Sequence, residues 1–408
     1  MTAIIPPASM PDTPSLRLKS LPPLSLYIHI PWCMKKCPYC DFNSHEVRGE
    51  NGNVPETEYV TALIRDLETA LPQIWGRSIT SVFFGGGTPS LFSARSIDAI
   101  LTAVRTLLPL EHFAEVTLEA NPGTFEVQKF ADFRAAGINR LSIGIQSFNP
   151  RHLQSLGRIH DGSQAHRAVE IAQENFDNVN LDLMYALPHQ TMEEARNDIK
   201  TAAAYGVPHI SAYHLTLEPN TLFHRYPPPL PDNDLAAEMQ VMIEQTLAQS
   251  GYLNYETSAF AQPGCESRHN MNYWLFGDYL GIGAGAHSKI SFADRMMRQM
   301  RYKQPRDYLA KTSPDMMAFD SPVMEQHEVG QNDRGFEFMM NALRLTGGFA
   351  TKMFEERTGL AIDSIQPQLD EAERRQLITR DCQRIVPTLA GRRFLNDLLQ
   401  IFLPESGA

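Results

Sequence analysis

The sequence has few cysteines, no long hydrophobic run and no excess of positive charge. No apolar stretch approaches the roughly 18 residues that a membrane-spanning helix needs. The N-terminal region has no basic residue before Arg17 and is interrupted by Pro6 and Pro7, unlike a signal peptide. With 36 basic and 47 acidic residues, the formal net charge of −11 argues mildly against a nucleic-acid ligand. We therefore expect a soluble cytoplasmic protein with no nucleic-acid partner and at most peripheral membrane contact.

Short apolar runs alternate with longer amphipathic segments over the first half of the chain. Strands that alternate with helices of this kind form βαβ units with a parallel sheet. Six such units fall short of the eight that close a (β/α)₈ barrel. The sequence therefore predicts an α/β fold, a partial (β/α)₆ barrel with a smaller, mainly helical C-terminal domain. The strand candidates are residues 25–30, 81–84, 116–119, 140–146, 180–184 and 209–214.

Composition suggests four regions along the 408 residues. Residues 1–23 are rich in Pro and Ser, which is typical of a flexible segment. Residues 24–250 hold the barrel pattern, and a Pro-rich stretch at 217–233 makes a loop near its end. Residues 251–320 are expected to be an irregular region associated with the barrel, and residues 321–408 a separate helical domain.

Three of the five cysteines lie together as Cys33, Cys37 and Cys40, with C-x₃-C-x₂-C spacing. Three thiolates on one short loop can bind three irons of a [4Fe–4S] cluster and leave the fourth iron without a protein ligand. The alternative is a zinc site with His29 or His45 as the fourth ligand, although closed zinc sites usually pair two C-x₂-C knuckles. The spacing favours the cluster.

The segment YIHIPWCMKKCPYC resembles the cluster loop of the radical-SAM superfamily, in the branch that contains oxygen-independent coproporphyrinogen III oxidase. The similarity continues through FFGGGTPSLF, LEANPGT, GINRLSIGIQSF, LGRIH and NLDLMYALP. The resemblance implies two cofactors, the [4Fe–4S] cluster and S-adenosylmethionine (SAM) chelated by its open iron.

The resemblance also assigns SAM-binding positions. From the residues alone, a glycine triplet is as well explained by a turn, and buried polar side chains by ordinary salt bridges. An arginine would suit the SAM carboxylate. The family pattern carries the SAM-binding role to Tyr27, Tyr39, Gly86, Gly87, Thr88, Glu119, Gln146, Arg158 and Asp182.

A further motif, HNMNYW at residues 269–274, lies downstream of the barrel pattern. Histidine is a common heme ligand, and aromatic rings can stack on a flat macrocycle. Without a family pattern, a loop histidine beside core aromatic residues is the better interpretation. The motif resembles the heme-associated H-N-x-x-Y-W of the HemW heme chaperones, which implies heme contacts at His269, Asn270, Tyr273 and Trp274.

Two functions compete on this scaffold, heme delivery to an acceptor protein and oxidative decarboxylation of coproporphyrinogen III. The oxidase loop continues to a fourth cysteine, whereas Phe42 stands at that position here. The short segment before the first strand and the HNxxYW motif also favour the heme chaperone. RNA modification would need a basic appendage, which the sequence lacks. Whether SAM is cleaved, which proteins donate electrons or accept heme, and whether the chain forms a homodimer are left open by the sequence.

Overall fold

The computed structural model describes residues 16–47, 54–123, 127–313 and 321–404. Twelve strands of these residues form one sheet, in the order β14-β13-β12-β11-β1-β4-β5-β6-β7-β8-β10-β9. The strands are β1 Leu24–Ile30, β2 Trp32–Cys33, β3 His45–Glu46, β4 Ile79–Gly86, β5 Leu110–Ala120, β6 Arg140–Gln146, β7 Val179–Tyr185, β8 His209–His214, β9 Leu253–Glu256, β10 Ala259–Ala261, β11 Asp278–Ile282, β12 His287–Ser291, β13 Met296–Arg301, β14 Val323–Glu328, β15 Phe349–Ala350, β16 Ile378–Arg380 and β17 Arg384–Pro387.

Helices cover the sheet and build most of the C-terminal region. The α-helices are α1 Glu56–Ile74, α2 Ala94–Leu107, α3 Phe130–Ala136, α4 Pro150–Ser155, α5 Gly162–Asn175, α6 Met192–Ala204, α7 Leu222–Arg225, α8 Asn233–Gln249, α9 Arg268–Trp274, α10 Pro305–Lys311, α11 Gln331–Ala342, α12 Thr351–Thr358, α13 Gln366–Arg374, α14 Leu389–Arg393 and α15 Leu395–Gln400. Among the helices of the described residues, none is both long enough and apolar enough to cross a membrane.

The six predicted strands are confirmed as β1 and β4 to β8, which pair in parallel. The middle of each strand is buried on both faces, as in β1, because helices cover one face and barrel side chains fill the other. Several helix boundaries follow from local chemistry. Asp161 and Thr191 form capping boxes at α5 and α6, and Gly137 ends α3 in the left-handed conformation.

Residues 251–320, which the sequence presented as irregular, contain five strands of the same sheet. β11 pairs in parallel with β1, and β12 and β13 continue the sheet in antiparallel fashion. These strands are short and stand beside glycine-rich turns, so their sequence lacks a run of alternating residues. With these strands the sheet is wider than the six strands that the sequence predicted.

The C-terminal region has its own apolar cluster, which includes Phe338, Phe349, Phe354 and Leu398. A three-stranded sheet in the order β15-β17-β16 accompanies its helices, so the region is less purely helical than expected. Leu16 packs into the same cluster and is 5% exposed. Part of the N-terminal segment expected to be flexible is therefore held in place, while residues 1–15 lie outside the described residues.

Candidate functional site

A cavity of about 360 Å³ opens where the parallel strands end at their carboxyl termini. This is where ligands bind in barrels and open α/β sheets, because the loops after parallel strands converge there. Its wall is formed by Cys33, Lys35, Cys37, Tyr39, Cys40, Asp41, Phe42, Ser44, Gly86, Gly87, Thr88, Pro89, Glu119, Ala120, Asn121, Ser142, Gly144, Gln146, Arg158, Asp182, Met184, Tyr213, His214, Leu215, Thr216 and Glu218. All predicted cluster and SAM residues line it except Tyr27.

The three clustered cysteines share this cavity as free thiols. Each sulfur lies within hydrogen-bond distance of a different side chain. Thr88 Oγ1 lies 3.5 Å from Cys33 Sγ, Arg158 Nη1 lies 3.6 Å from Cys37 Sγ, and Ser44 Oγ lies 3.6 Å from Cys40 Sγ. Hydrogen bonds of this kind set the reduction potential of a cluster bound by thiolates.

The protonation state of the Cys33 thiol follows from its burial. Burial raises the pKa of Cys33 to about 11, so without a cation its proton stays on the sulfur at neutral pH. Within the described part of the chain, no three His, Cys, Asp or Glu side chains are close enough together to hold one metal ion. In a [4Fe–4S] cluster each cysteine binds a different iron, so the three side chains do not have to reach one metal ion. The donor set therefore fits a [4Fe–4S] cluster.

The glycine triplet Gly85–Gly87, at the end of β4, places its backbone against β1 and the residues that follow it. Gly87 N donates to Ile30 O at 2.8 Å, and Thr88 N donates to Trp32 O at 2.7 Å. Gly86 has a φ of +113°, and a Cβ there would lie 2.5 Å from the His29 ring. Only glycine can occupy this position, because both the backbone conformation and the space exclude a side chain.

Two carboxyl groups lie deep in the cavity. Burial and, to a smaller extent, the nearby carboxyl of Asp182 raise the pKa of Glu119 to about 8. Glu119 accepts a hydrogen bond of 3.2 Å from Gly86 N, while Asp182 accepts bonds of 2.8 Å from Ser142 and Asn180. Burial also raises the pKa of Asp182. A cationic ligand would stabilise the ionised form of both carboxyl groups, which burial has removed from water.

Arg158 connects the cysteine loop to the opposite wall. Its Nη2 donates to Asn121 Oδ1 at 2.6 Å and to Gly144 O at 2.8 Å. Its Nε is buried with no hydrogen-bond partner among the described residues. Gln146 reaches the same wall from a left-handed backbone position with φ of 66°, a strained conformation for a residue other than glycine.

The two predicted tyrosines occupy different places. Tyr39 lies on the cavity wall and contacts the Phe223 ring, 6.3 Å away between centroids. Tyr27 lies below the wall, where its hydroxyl is 3.0 Å from His29 Nδ1 and its ring stacks on Phe83. The structure thus places Tyr27 outside the cavity, in the packed layer beneath it.

The HNxxYW residues form helix α9, which packs against β4, β1 and β11. His269 is 3% exposed, and its Nδ1 lies 3.0 Å from Ser81 Oγ at the beginning of β4. Its ring stacks on Phe83 at 4.8 Å, and burial lowers its pKa to about 3, so the imidazole is neutral. The motif therefore closes the amino-terminal end of the barrel in this conformation.

The other motif residues also have partners within the protein. Asn270 N donates to the helix-capping Ser267 Oγ at 3.3 Å, and the Tyr273 ring stacks on Tyr279 at 4.2 Å. The guanidinium of Arg344 lies 4.4 Å from the centre of the Trp274 ring. Heme contacts at His269, Asn270, Tyr273 and Trp274 stay a prediction.

Comparison with known proteins decides the family. A model of the Radical SAM superfamily matches residues 27–202, and a model of the HemN C-terminal domain matches residues 329–394. The chain is 46% identical to the heme chaperone HemW of Escherichia coli strain K12, over 94% of this chain and 99% of that protein. The chain belongs to the HemW family.

The similarity within the HemW family extends beyond one group of bacteria. The heme chaperone HemW of Bacillus subtilis is 32% identical over 93% of this chain and 99% of its own length. Among solved structures, the coproporphyrinogen III oxidase HemN of Escherichia coli, a radical SAM enzyme, superposes with a TM-score of 0.78 at 23% identity, covering 94% of this chain and 90% of that one. The HemN likeness confirms the predicted fold class.

A chain of hydrogen bonds connects the cavity to the HNxxYW helix. Asn180 Nδ2 donates to Asp182, and Asn180 Oδ1 lies 2.6 Å from His209 Nδ1. His209 Nε2 lies 2.9 Å from the Tyr255 hydroxyl, which accepts a bond of 3.4 Å from Ser267 N at the beginning of α9. The cavity and the HNxxYW helix are thus linked through side chains that belong to none of the predicted motifs.

The sequence also missed the wall formed by the end of β8. Tyr213 and His214 line the cavity there, and Glu218 lines it from the segment that follows β8. The segment HISAYH reads as an ordinary strand, and no family motif marks it. Its position at the carboxyl end of the last predicted strand was the available signal, since such ends carry function in barrels.

Proposed function

We propose that this protein is a heme chaperone that binds heme and transfers it to an acceptor protein. The observation that carries the proposal is the 46% identity to a heme chaperone HemW over nearly the whole of both chains. We further propose a cytoplasmic location, in keeping with free thiols that an oxidising compartment would oxidise.

Decarboxylation of coproporphyrinogen is the second candidate, and the site favours it less. Phe42 lines the cavity where the oxidase pattern has its fourth cysteine, and its side chain is 58% exposed. The likeness to HemN, at 23% identity, supports a shared fold and no more. RNA modification is disfavoured by the net charge of −11.

We propose that Cys33, Cys37 and Cys40 hold a [4Fe–4S] cluster, and that exchangeable SAM occupies the adjoining cavity. When bound, the cluster would chelate SAM at its open iron and supply an electron. Glu119 and Asp182 would face the cationic parts of the ligand, and the guanidinium of Arg158 its carboxylate. Gly86, Gly87, Thr88, Gln146 and Tyr39 would shape the wall around it, while Tyr27 would support that wall from below.

Anaerobic reconstitution tests the cluster assignment. Wild-type protein should bind about four irons and four sulfides per chain, and the triple change of Cys33, Cys37 and Cys40 to Ala should abolish this. Cys265→Ala is the matched control, because Cys265 is isolated from the cavity and should leave the iron content unchanged. A full cluster in the triple variant would refute the ligand set.

Heme titration separates the two leading functions. Stoichiometric heme binding without turnover of coproporphyrinogen III would support the chaperone, and carbon dioxide release from that substrate would overturn it. His269→Ala then examines the predicted heme ligand, because loss of an axial imidazole changes the Soret band. An unchanged spectrum would remove His269 from the heme site while leaving the chaperone function intact.

A further inference from the structure

A buried histidine lies beneath the cavity wall. His209 is the first residue of β8, and only 1% of it is exposed. It pairs in register with Asn180 on β7, and Asp182 of the cavity wall comes two residues after Asn180. Because residues two apart in a strand point to the same face, Asn180 lies directly below Asp182. His209 is therefore separated from a carboxyl group of the cavity by a single side chain.

The side-chain amide of Asn180 is held in one orientation. Its Nδ2 donates at 2.8 Å to Asp182 Oδ1 and at 2.8 Å to Ser142 Oγ. Its Oδ1 lies 2.6 Å from His209 Nδ1 and accepts a bond of 3.1 Å from Ser211 Oγ. With the amide turned over, its oxygen would face a carboxylate oxygen of Asp182, and neither atom would have a hydrogen to donate. These contacts direct the amide nitrogen toward the cavity.

The same contacts determine which ring nitrogen of His209 carries the proton. The Asn180 oxygen can only accept, so His209 Nδ1 must donate. Burial and, to a smaller extent, the charge of Arg140 lower the pKa of His209 well below its ordinary value. The ring is therefore neutral, and its bare Nε2 accepts from the Tyr255 hydroxyl, 2.9 Å away. His209 is thus held in the Nδ1–H tautomer from both sides.

The Asp182 carboxyl depends on the Asn180 amide because its hydrogen bonds come from neutral side chains. Asn180 and Ser142 each donate to one of its two oxygens. Burial raises the pKa of Asp182, and these donors offset part of that rise by stabilising the ionised form. The charged or titratable side chains that interact with it come from three strands, Glu119 from β5, Arg140 from β6 and Tyr213 from β8.

We propose that His209 is a positioning residue of the SAM site, which directs the Asn180 amide at Asp182 and so keeps the Asp182 carboxylate ready for the cationic part of SAM. The proposal rests on the SAM site proposed above. His209 is not part of the cavity wall, so it acts through Asn180. Without the proton on Nδ1, the amide can turn over and present its oxygen to the carboxylate. The bond from Ser211 remains in that case, so SAM binding is weakened and not abolished.

Two substitutions separate the two nitrogens of His209. The amide nitrogen of asparagine lies as many bonds from Cα as Nδ1 does, and that of glutamine as many as Nε2 does. His209→Asn therefore keeps a donor toward Asn180, whereas His209→Gln keeps only a polar group toward Tyr255. A structural role of the buried ring would be impaired by both changes, while the positioning role belongs to Nδ1 alone.

The test measures the binding of radiolabelled SAM to the full chain with its anaerobically reconstituted cluster. His209→Asn should bind SAM within about twofold of wild type, and His209→Gln about tenfold more weakly, because it loses a hydrogen bond that supports a charged group. His327→Gln, at an exposed position of β14, is the matched control and should bind like wild type. Equal affinities in His209→Asn and His209→Gln would overturn the proposal.

The pH dependence of SAM binding gives a second measurement. A cationic ligand binds the ionised carboxylate, so binding is lost as the pH falls through the pKa of Asp182. His209→Gln should raise that pKa and shift the loss to higher pH, whereas His209→Asn should follow wild type. Glu119, Arg140 and Tyr213 are present in both variants, so their charges cannot produce a difference between them.

Nitrogen-15 NMR of the imidazole tests the proposal without any substitution that alters binding. Wild-type protein should show a proton on Nδ1 of His209 and none on Nε2, with the resonances assigned by their absence from His209→Asn. A proton on Nε2 would overturn the proposal even if His209→Gln took up no cluster. Wild-type protein that takes up the cluster but binds no SAM would instead refute the SAM site proposed above.

Discussion

At the scale of single residues, the most informative side chain is Glu119. Burial holds its pKa at about 8, far above the roughly 4.3 of an exposed glutamate. The folded protein therefore binds this proton more tightly than the unfolded chain does. Stability is fully present below pH of about 4 and is lost progressively as the pH rises to about 8.

Glu119→Gln should remove this dependence, because an amide does not titrate. We expect ligand-free wild-type and variant to be similarly stable at pH 5, and the variant to be more stable at pH 9 by on the order of 3 kcal/mol. Urea unfolding at both pH values measures the difference. Glu111→Gln, at an exposed position of β5, should show no such divergence. A wild-type protein that loses no stability against the variant at high pH would contradict the raised pKa.

The residues of the cavity show what sequence can and cannot supply. That Cys33, Cys37 and Cys40 line one cavity was predictable from their close spacing, while their role as ligands stays a prediction. The family pattern located Glu119 and Asp182, which depend on strand position more than on spacing. It could not show that Tyr27 points beneath the wall, because depth within a barrel is set by how the strands are staggered. The cavity wall at the end of β8 was not predicted, since Tyr213 and His214 carry no local signature.

At the scale of elements, helix α9 is held by one carboxylate. Glu115 on β5 accepts hydrogen bonds from Ser267 Oγ, from Arg268 N at 3.1 Å and from His269 N at 3.1 Å. Its carboxylate sits at the positive end of the helix, where anions are stabilised. Glu115 is buried, so its loss would leave several donors without an acceptor.

Glu115→Ala should destabilise the protein by about 3 kcal/mol, because buried donors and the neighbouring Arg140 lose their partner. The measurements are urea unfolding and hydrogen exchange at the amides of α9, which should speed up more than those of α2. Glu111→Ala, four residues away and exposed, is the control and should change stability by less than about 0.5 kcal/mol. Equal losses in both variants would show that α9 does not depend on this cap.

Helices and strands whose apolar residues recur regularly were predictable from the sequence, and those without such a repeat were not. The six parallel strands and the helices between them follow from apolar runs, capping residues and glycine stops. β12 and β13 escaped prediction because their buried positions hold charged residues such as Lys289 and Arg301. Lys289 forms an ion pair with Asp278, and Arg301 forms one with Asp66. Neither pair could be recognised from the spacing of the residues in the sequence.

At the scale of the whole molecule, the N-terminal segment fastens the barrel to the C-terminal core. Leu18 N donates to Ala293 O at 3.1 Å, next to β12 and β13. The Leu16 side chain lies over Gly359, where a Cβ would come within 2.4 Å of its methyl carbon. Gly359 ends α12 with a φ of +68°, so both its backbone and the leucine require glycine there.

Leu16→Ala should therefore cost about 2–4 kcal/mol, the usual loss when a buried leucine leaves a cavity. Leu21→Ala, at a side chain that is 43% exposed in the same segment, should cost far less. Thermal unfolding of the two variants against wild type makes the comparison. If the two losses were equal, the N-terminal segment would contribute nothing specific to the C-terminal core.

The twelve-stranded sheet has consequences for how copies of the chain meet one another. β14 forms one edge, and Glu325 and Glu328 stand on it in the open. A second copy approaching edge to edge would bring carboxylates against carboxylates, and desolvating them would cost more than new backbone hydrogen bonds return. At the other end, β9 is short and its Glu256 bridges to Leu345 of the C-terminal region. Both edges of the twelve-stranded sheet are thus protected against pairing with the sheet of a second copy of the chain.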